Sequence, residues 1–297
     1  MALMATVTGL SATELNYPQH VTLDDPSAIV AAHDLGLAVT ALNMRYDPPR
    51  FDRGAFTHPD ADVRTAAVDL TLAAVDVAAA HGIPHVIVWP GPDGVDLPFQ
   101  ADHAELWRHQ VAGLRSAAGR NPSVQVSLEY KPSDPRRVSL VSTMAEALLC
   151  AADTGEPNAG VTLDLCHALM AGEQPAMVAS LALARSRLFG LHLNDGYGQA
   201  DDGLMVGSVH REQLLELLWT LRRHAWDGTI YFDTFPTGLD PVEEATLNIA
   251  TVERLEAILD ALPPADLAAA QAAQDPLAAR RLLDDAHQAA TAPRPAP

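Results

Sequence analysis

Four short apolar runs in this chain each close on one acid–base side chain, and that pattern narrows the possible folds more than any other feature. The runs are Val126-Ser-Leu-Glu129, which continues as Tyr130-Lys131-Pro132, then Gly160-Val-Thr-Leu-Asp164, Leu188-Phe-Gly-Leu-His192 and Thr229-Ile-Tyr-Phe-Asp233. Their polar ends are 35, 28 and 41 positions apart, each enough for one crossover helix between parallel strands. Four ligand-type side chains therefore converge at one end of a parallel sheet.

Upstream, the alternation continues. Strands are expected at Thr13–Tyr17, Leu37–Tyr46 and His85–Trp89, and helices at Val63–His81 and Ala101–Ala118. Downstream, helices are expected at Thr143–Thr154, Pro175–Arg187, Arg211–His224 and Pro241–Leu262. Seven strands in strict alternation predict an α/β fold of the closed (β/α)8 TIM-barrel type, with its site at the C-terminal strand ends. Only Met1–Ala12 precedes the first strand, too short for a βα unit, so the first unit is expected to be missing or degenerate. Residues 1–262 form the expected barrel. Residues 263–297 form a helical extension ending in the proline-rich Ala292–Pro297.

With 48% hydrophobic but only 5% aromatic residues, the core should be aliphatic. The net charge of -19 argues against a sequence-independent grip on nucleic acid or an anionic membrane and favours small neutral ligands. No segment has the roughly 18 uninterrupted apolar residues of a membrane span, and no secretory leader is visible. Cys150, in a predicted helix, and Cys166, in a predicted strand, show no disulfide or zinc-knuckle spacing. A soluble cytosolic protein with reduced thiols is expected.

Carboxylates and imidazole without thiolate suit Mg²⁺, Mn²⁺ or Co²⁺, and zinc is also compatible. Four separate compensations for four buried polar groups are harder to arrange than one shared cation. His167, three residues after Asp164, fits a supporting partner, a second-metal ligand or an ordinary loop histidine. Lys131 lies on the Glu129 face of its strand, suited either to polarising a substrate oxygen or to neutralising the carboxylates.

These residues resemble the xylose isomerase-like superfamily of TIM barrels, most closely sugar isomerases of the xylose and rhamnose isomerase type. The segments that carry the resemblance are Gly54-Ala-Phe-Thr-His-Pro-Asp60 and Val88-Trp89-Pro-Gly-Pro-Asp-Gly94, followed by Glu129-Tyr-Lys-Pro132 and Asp164-Leu-Cys-His167. His192-Leu-Asn-Asp195 through Ser208 completes the series. The resemblance implies a structural metal on Glu129, Asp164, His192 and Asp233, and a second, catalytic metal on His167 with Asp201 or Asp202. It also implies that Lys131 stabilises charge on the substrate carbonyl oxygen, that Trp89 forms an apolar wall, and that Asn194 contacts substrate. His20 would replace the family's strand-two histidine. The family's second site is usually held by an Asp-x-Asp pair, whereas this chain has Asp201-Asp202-Gly203. The implied activity is aldose–ketose isomerisation by a dimer or tetramer. Ketose 3-epimerases, metal-dependent lyases such as 3-keto C-glycoside deglycosidases and a non-catalytic sugar-binding barrel are the alternatives. Asp233, shorter than the Glu that epimerases carry there, tilts the reading to isomerase.

Overall fold

Seven parallel strands curl into a nearly closed barrel, and in this computed structural model they are described over residues 1–235 and 237–291. The strands are β1 (Ala12–Tyr17), β2 (Ala38–Met44), β3 (His85–Val88), β4 (Gly94–Val95), β5 (Gln125–Glu129), β6 (Val138–Ser139), β7 (Ala159–Asp164), β8 (Leu188–Leu193) and β9 (Ile230–Phe232). The barrel order is β1-β2-β3-β5-β7-β8-β9, while β4 and β6 pair with each other as a small antiparallel ribbon. Among the described residues ten helices accompany them: α1 (Ser27–Asp34), α2 (Ala61–His81), α3 (His103–Arg120), α4 (Met144–Thr154), α5 (Leu165–Met170), α6 (Pro175–Leu183), α7 (Arg211–Arg223), α8 (Pro241–Ala261), α9 (Pro264–Ala272) and α10 (Pro276–Thr291).

Local chemistry explains the boundaries. Asp60 caps α2 by accepting from the Asp62 amide, and Gly82 ends it in the left-handed region at φ 67°. A capping box of Thr143 and Glu146 opens α4. Periodicity predicts α6 to Arg187, but the helix stops at Leu183. The Arg187 guanidinium is recruited by the carbonyls of Glu156 and Pro157, and Ser186 turns at φ 53° to allow it. The core is aliphatic, with Leu42, Ile87, Leu128, Leu163 and Leu191 fully enclosed.

Among the described residues no ladder joins β1 to β9, so the barrel keeps one seam at the place an eighth strand would occupy. The N-terminal segment, including a 3₁₀ turn at Met4–Thr6, lies against α8 there. Met4, Leu10, Thr13, Tyr231 and Asn248 line a seam cavity of about 210 Å³. After the last barrel helix, α9 turns the chain so that α10 returns to pack on α8 and α9. The tail expected over Ala292–Pro297 lies outside the described residues. Among the described residues no helix is long and apolar enough to cross a membrane.

Candidate metal centre

Parallel pairing brings the four strand ends to one mouth of the barrel. Asp164 stands opposite His192 in the ladder, Glu129 opposite Thr162, and the Asp233 amide donates to the Leu193 carbonyl at 3.1 Å. One donor atom from each of Glu129, Asp164, His192 and Asp233 can be chosen so that all lie within 4.8 Å of one another. A second group, Asp164, His167 and Asp201, meets the same condition. The two groups open into a cleft of about 300 Å³ at the barrel mouth, whose wall includes Trp89, Lys131 and Arg45.

The contacts within the cluster are direct. His192 Nδ1 lies 3.1 Å from Glu129 Oε1, and its Nε2 lies 3.2 Å from Oε2 of Glu14. His167 Nε2 is 3.2 Å from Asp201 Oδ2, to which Lys131 Nζ also donates at 3.1 Å. The same ammonium donates to Asp134 at 3.3 Å. His167 is placed by its own backbone, whose amide donates to Asp164 Oδ1 at 2.9 Å, so Asp164 both ends β7 and caps α5. Cys166, expected in the strand, therefore sits in α5. Its thiol and that of Cys150 are buried and free, and burial pushes both up to about 12.

Several expected residues take other positions. Asn194 is fully buried, donating to Asp164 Oδ2 at 2.9 Å and accepting from the Cys166 amide at 2.9 Å. It orients the Asp164 carboxylate and is not part of the cleft wall. Asp202 points away and accepts from the Tyr197 amide at 2.6 Å, which leaves Asp201 as the member of that pair at the cluster. His20 is exposed, with Nδ1 accepting from the Asn16 amide at 3.1 Å, and is not part of the cleft wall. Trp89 is half-buried in that wall. Its ring rests on Gly91, where a Cβ would come within 2.3 Å of the indole; the close approach that the Pro90–Asp96 loop permits is to this ring.

Glu14, Asn43, Arg45 and Tyr231 escaped the sequence reading. Asn43 Nδ2 donates to Glu14 Oε2 at 2.8 Å, and Tyr231 packs on His192 with ring centroids 5.1 Å apart. A signal was present: Glu14 and Asn16 alternate with the buried Leu15 and Tyr17, and Asn43 and Arg45 share one side of the next strand, so the polar face of each runs into the barrel.

Burial and like charge divide the carboxylates. Burial pushes Asp164 up to about 7; charge on His167 opposes this, while Asp233, Glu129 and Asp201 add to it. Asp233 is likewise raised, chiefly by burial. Burial would raise Glu129 too, but the charge and hydrogen bond of His192, helped by His167 and Arg45, hold it near about 2. Burial disfavours charge on His167, yet Asp164, Asp201 and Glu129 outweigh it and lift the imidazole to about 9. His192 is raised for the same reason by Glu129 and Glu14.

The donor set suits a divalent cation. His167 Nδ1, 3.7 Å from Glu129 and 3.9 Å from Asp164, is buried without a hydrogen-bond partner, and so is Asp201 Oδ1. A cation held by the four-residue set would displace the protons on Asp164 and His192, so affinity should strengthen as pH rises through about 7. Titrating Mn²⁺ calorimetrically at pH 6 and pH 8 should give binding at least about tenfold tighter at the higher pH. Equal affinities would contradict this protonation pattern.

A family model described as "Xylose isomerase-like TIM barrel" matches residues 9–258. The chain belongs to that family. Its curated relatives include the xylose isomerase of Thermus thermophilus, 27% identical over 210 residues that make up 68% of this chain and 54% of that protein. This xylose isomerase-like barrel thus spans about half the length of the curated relatives it matches. Solved structures sharing the fold include a D-tagatose 3-epimerase-like protein, with TM-score 0.68, 17% identity and coverage of 84% of this chain and 90% of that one. D-allulose 3-epimerase from Methylomonas sp., in complex with D-allulose, aligns with TM-score 0.60 at 19% identity, covering 83% of this chain and 80% of its own. Both curated relatives are named xylose isomerases, and both solved structures are named for 3-epimerases.

Proposed function

We propose that this protein is a divalent-metal-dependent sugar isomerase that interconverts an aldose and a ketose. The observation that carries the proposal is the convergence of Glu129, Asp164, His192 and Asp233 donor atoms within 4.8 Å at the barrel mouth, beside a buried ammonium and an indole wall. Those four side chains would hold the cation, which when bound polarises substrate oxygens and offsets the carboxylate charge. Asp164, His167 and Asp201 are the residues suited to a second ion.

The remaining work falls to side chains of the chain itself. Lys131, its side chain 7% exposed, aims a fixed positive charge at the cleft, where negative charge develops on the carbonyl oxygen during hydrogen transfer. His167 sets its buried Nδ1 3.7 Å from Glu129 and its Nε2 3.2 Å from Asp201, placed to orient those carboxylates or to serve the second ion. Trp89 shields the reacting carbons from water. Asn194 and Glu14 hold Asp164 and His192 in place.

A second reading, ketose 3-epimerisation, draws support from the paired carboxylates of Glu129 and Asp233 in one donor set. One experiment tests both. The protein is stripped with chelator, restored with Mn²⁺, Co²⁺, Mg²⁺ or Zn²⁺, and given free aldoses and ketoses, with products resolved by chromatography. Restored aldose–ketose interconversion is expected. Appearance of the C3 epimer alone would replace isomerase by epimerase, and full activity after complete metal removal would defeat both readings.

A further inference from the structure

We infer that Arg45 makes this site selective for sugars carrying a terminal oxyanion, a carboxylate or a phosphate, over neutral ones. The inference rests on the sugar site proposed above and adds its substrate class. Arg45 follows the end of β2, with its amide donating to the Tyr17 carbonyl at 2.8 Å, and its side chain forms part of the cleft wall. Nε donates to Asn16 Oδ1 at 3.1 Å, and the guanidinium carbon lies 5.8 Å from the Trp89 ring centroid. These two contacts fix the plane of the fork. They leave its Nη1 and Nη2 edge without a hydrogen-bond or ion-pair partner among the described residues.

Arg120, Arg136, Arg222 and Arg280 pair with carboxylates, and Arg64, Arg115 and Arg187 donate to backbone carbonyls; what sets Arg45 apart is its place in a cleft lined by carboxylates. Glu129, Asp134, Asp201 and Asp233 line the same cleft as Arg45, yet none lies within ion-pair distance of it. The other cation of the cleft, Lys131, already has Asp201 and Asp134 as ion-pair partners. Asn16 and Trp89 hold Arg45 away from the available carboxylates with its two-pronged edge free. A planar fork in that state matches a carboxylate or phosphate in a way that a hydroxyl does not. At about 300 Å³ the cleft is at the small end for ligand sites, so the oxyanion and the carbons held by the donor cluster belong to one monosaccharide.

The test is binding, so it does not depend on turnover. The metal-restored protein is titrated calorimetrically at constant ionic strength with D-glucose, D-glucuronate and D-glucose 6-phosphate, and with the matching galactose set. At least one anionic sugar should bind about tenfold or more tighter than its neutral counterpart, and whichever does so identifies carboxylate or phosphate as the group read. Arg45→Met should abolish that preference with bound metal unchanged, and Arg45→Lys should keep part of it. Equal affinity for neutral and anionic sugars, no saturable binding by any of them, or a preference that survives in Arg45→Met would each overturn the inference. An Arg45 that merely offsets the charge of Glu129 gives the last of these. Discrimination retained in a protein that interconverts no sugar would leave the inference standing and remove the isomerase assignment.

Discussion

Glu129→Gln should lower turnover by about 10³-fold and weaken divalent-cation binding by about 10²-fold or more. Glu129 is 6% exposed, its carboxyl is held down at about 2, and it supplies Oε1 to His192 and one oxygen to the four-donor set. The amide keeps the size but removes the charge that the cation and the charged imidazole both face. Its nitrogen, if turned toward His192, opposes a donor with a donor. The effect should therefore appear twice, as a lower Mn²⁺ affinity by calorimetry and as lost interconversion at saturating Mn²⁺. Unchanged cation affinity would remove Glu129 from the ligand set.

Lys131→Met should behave differently. Methionine nearly fills the space of the aliphatic stem against Trp89 but removes the ammonium 5.5 Å from that ring centroid. A charge that acts mainly on the developing oxyanion contributes more in the transition state than in the bound substrate, so kcat should fall about 10²- to 10³-fold with KM little changed. Metal content at the Glu129 set should be retained. A KM effect equal to the kcat/KM effect would show that Lys131 binds substrate and takes no part in the chemical step.

The barrel and its four strand ends were legible in the sequence because both depend on short-range patterns. An apolar run of strand length, closed by a ligand-type residue and followed by a helix, leaves few ways to fold. The β4–β6 ribbon was not legible, since two-residue strands carry no period, and Gly94 is needed where a Cβ would meet the Val138 carbonyl at 2.3 Å. Cys166 was misplaced because an apolar run says nothing about where a strand yields to a helix. The Asp164 side chain decides that by capping α5. Neighbouring Asp201 and Asp202 could not be ranked either, since their division of labour follows from the Tyr197 amide claiming one of them. Glu14 lies beside a register shift between Thr13 and Glu14, and its contact with His192 joins residues 178 positions apart, a pairing that local pattern does not encode.

The seam between β1 and β9 divides the candidate ligand set mechanically. Glu129, Asp164 and His192 end strands laddered on both sides, whereas Asp233 follows a three-residue strand hydrogen-bonded only to β8, and all three of its residues are half-buried. Three donors thus form a rigid jaw and the fourth a sprung one. A cation spanning them would act as a clasp, fastening the loose edge of the barrel to its stiffest part. Its binding free energy would then tighten the wall around Tyr231 and Asp233 more than any other region, and occupancy of the site and closure of the barrel would become one event.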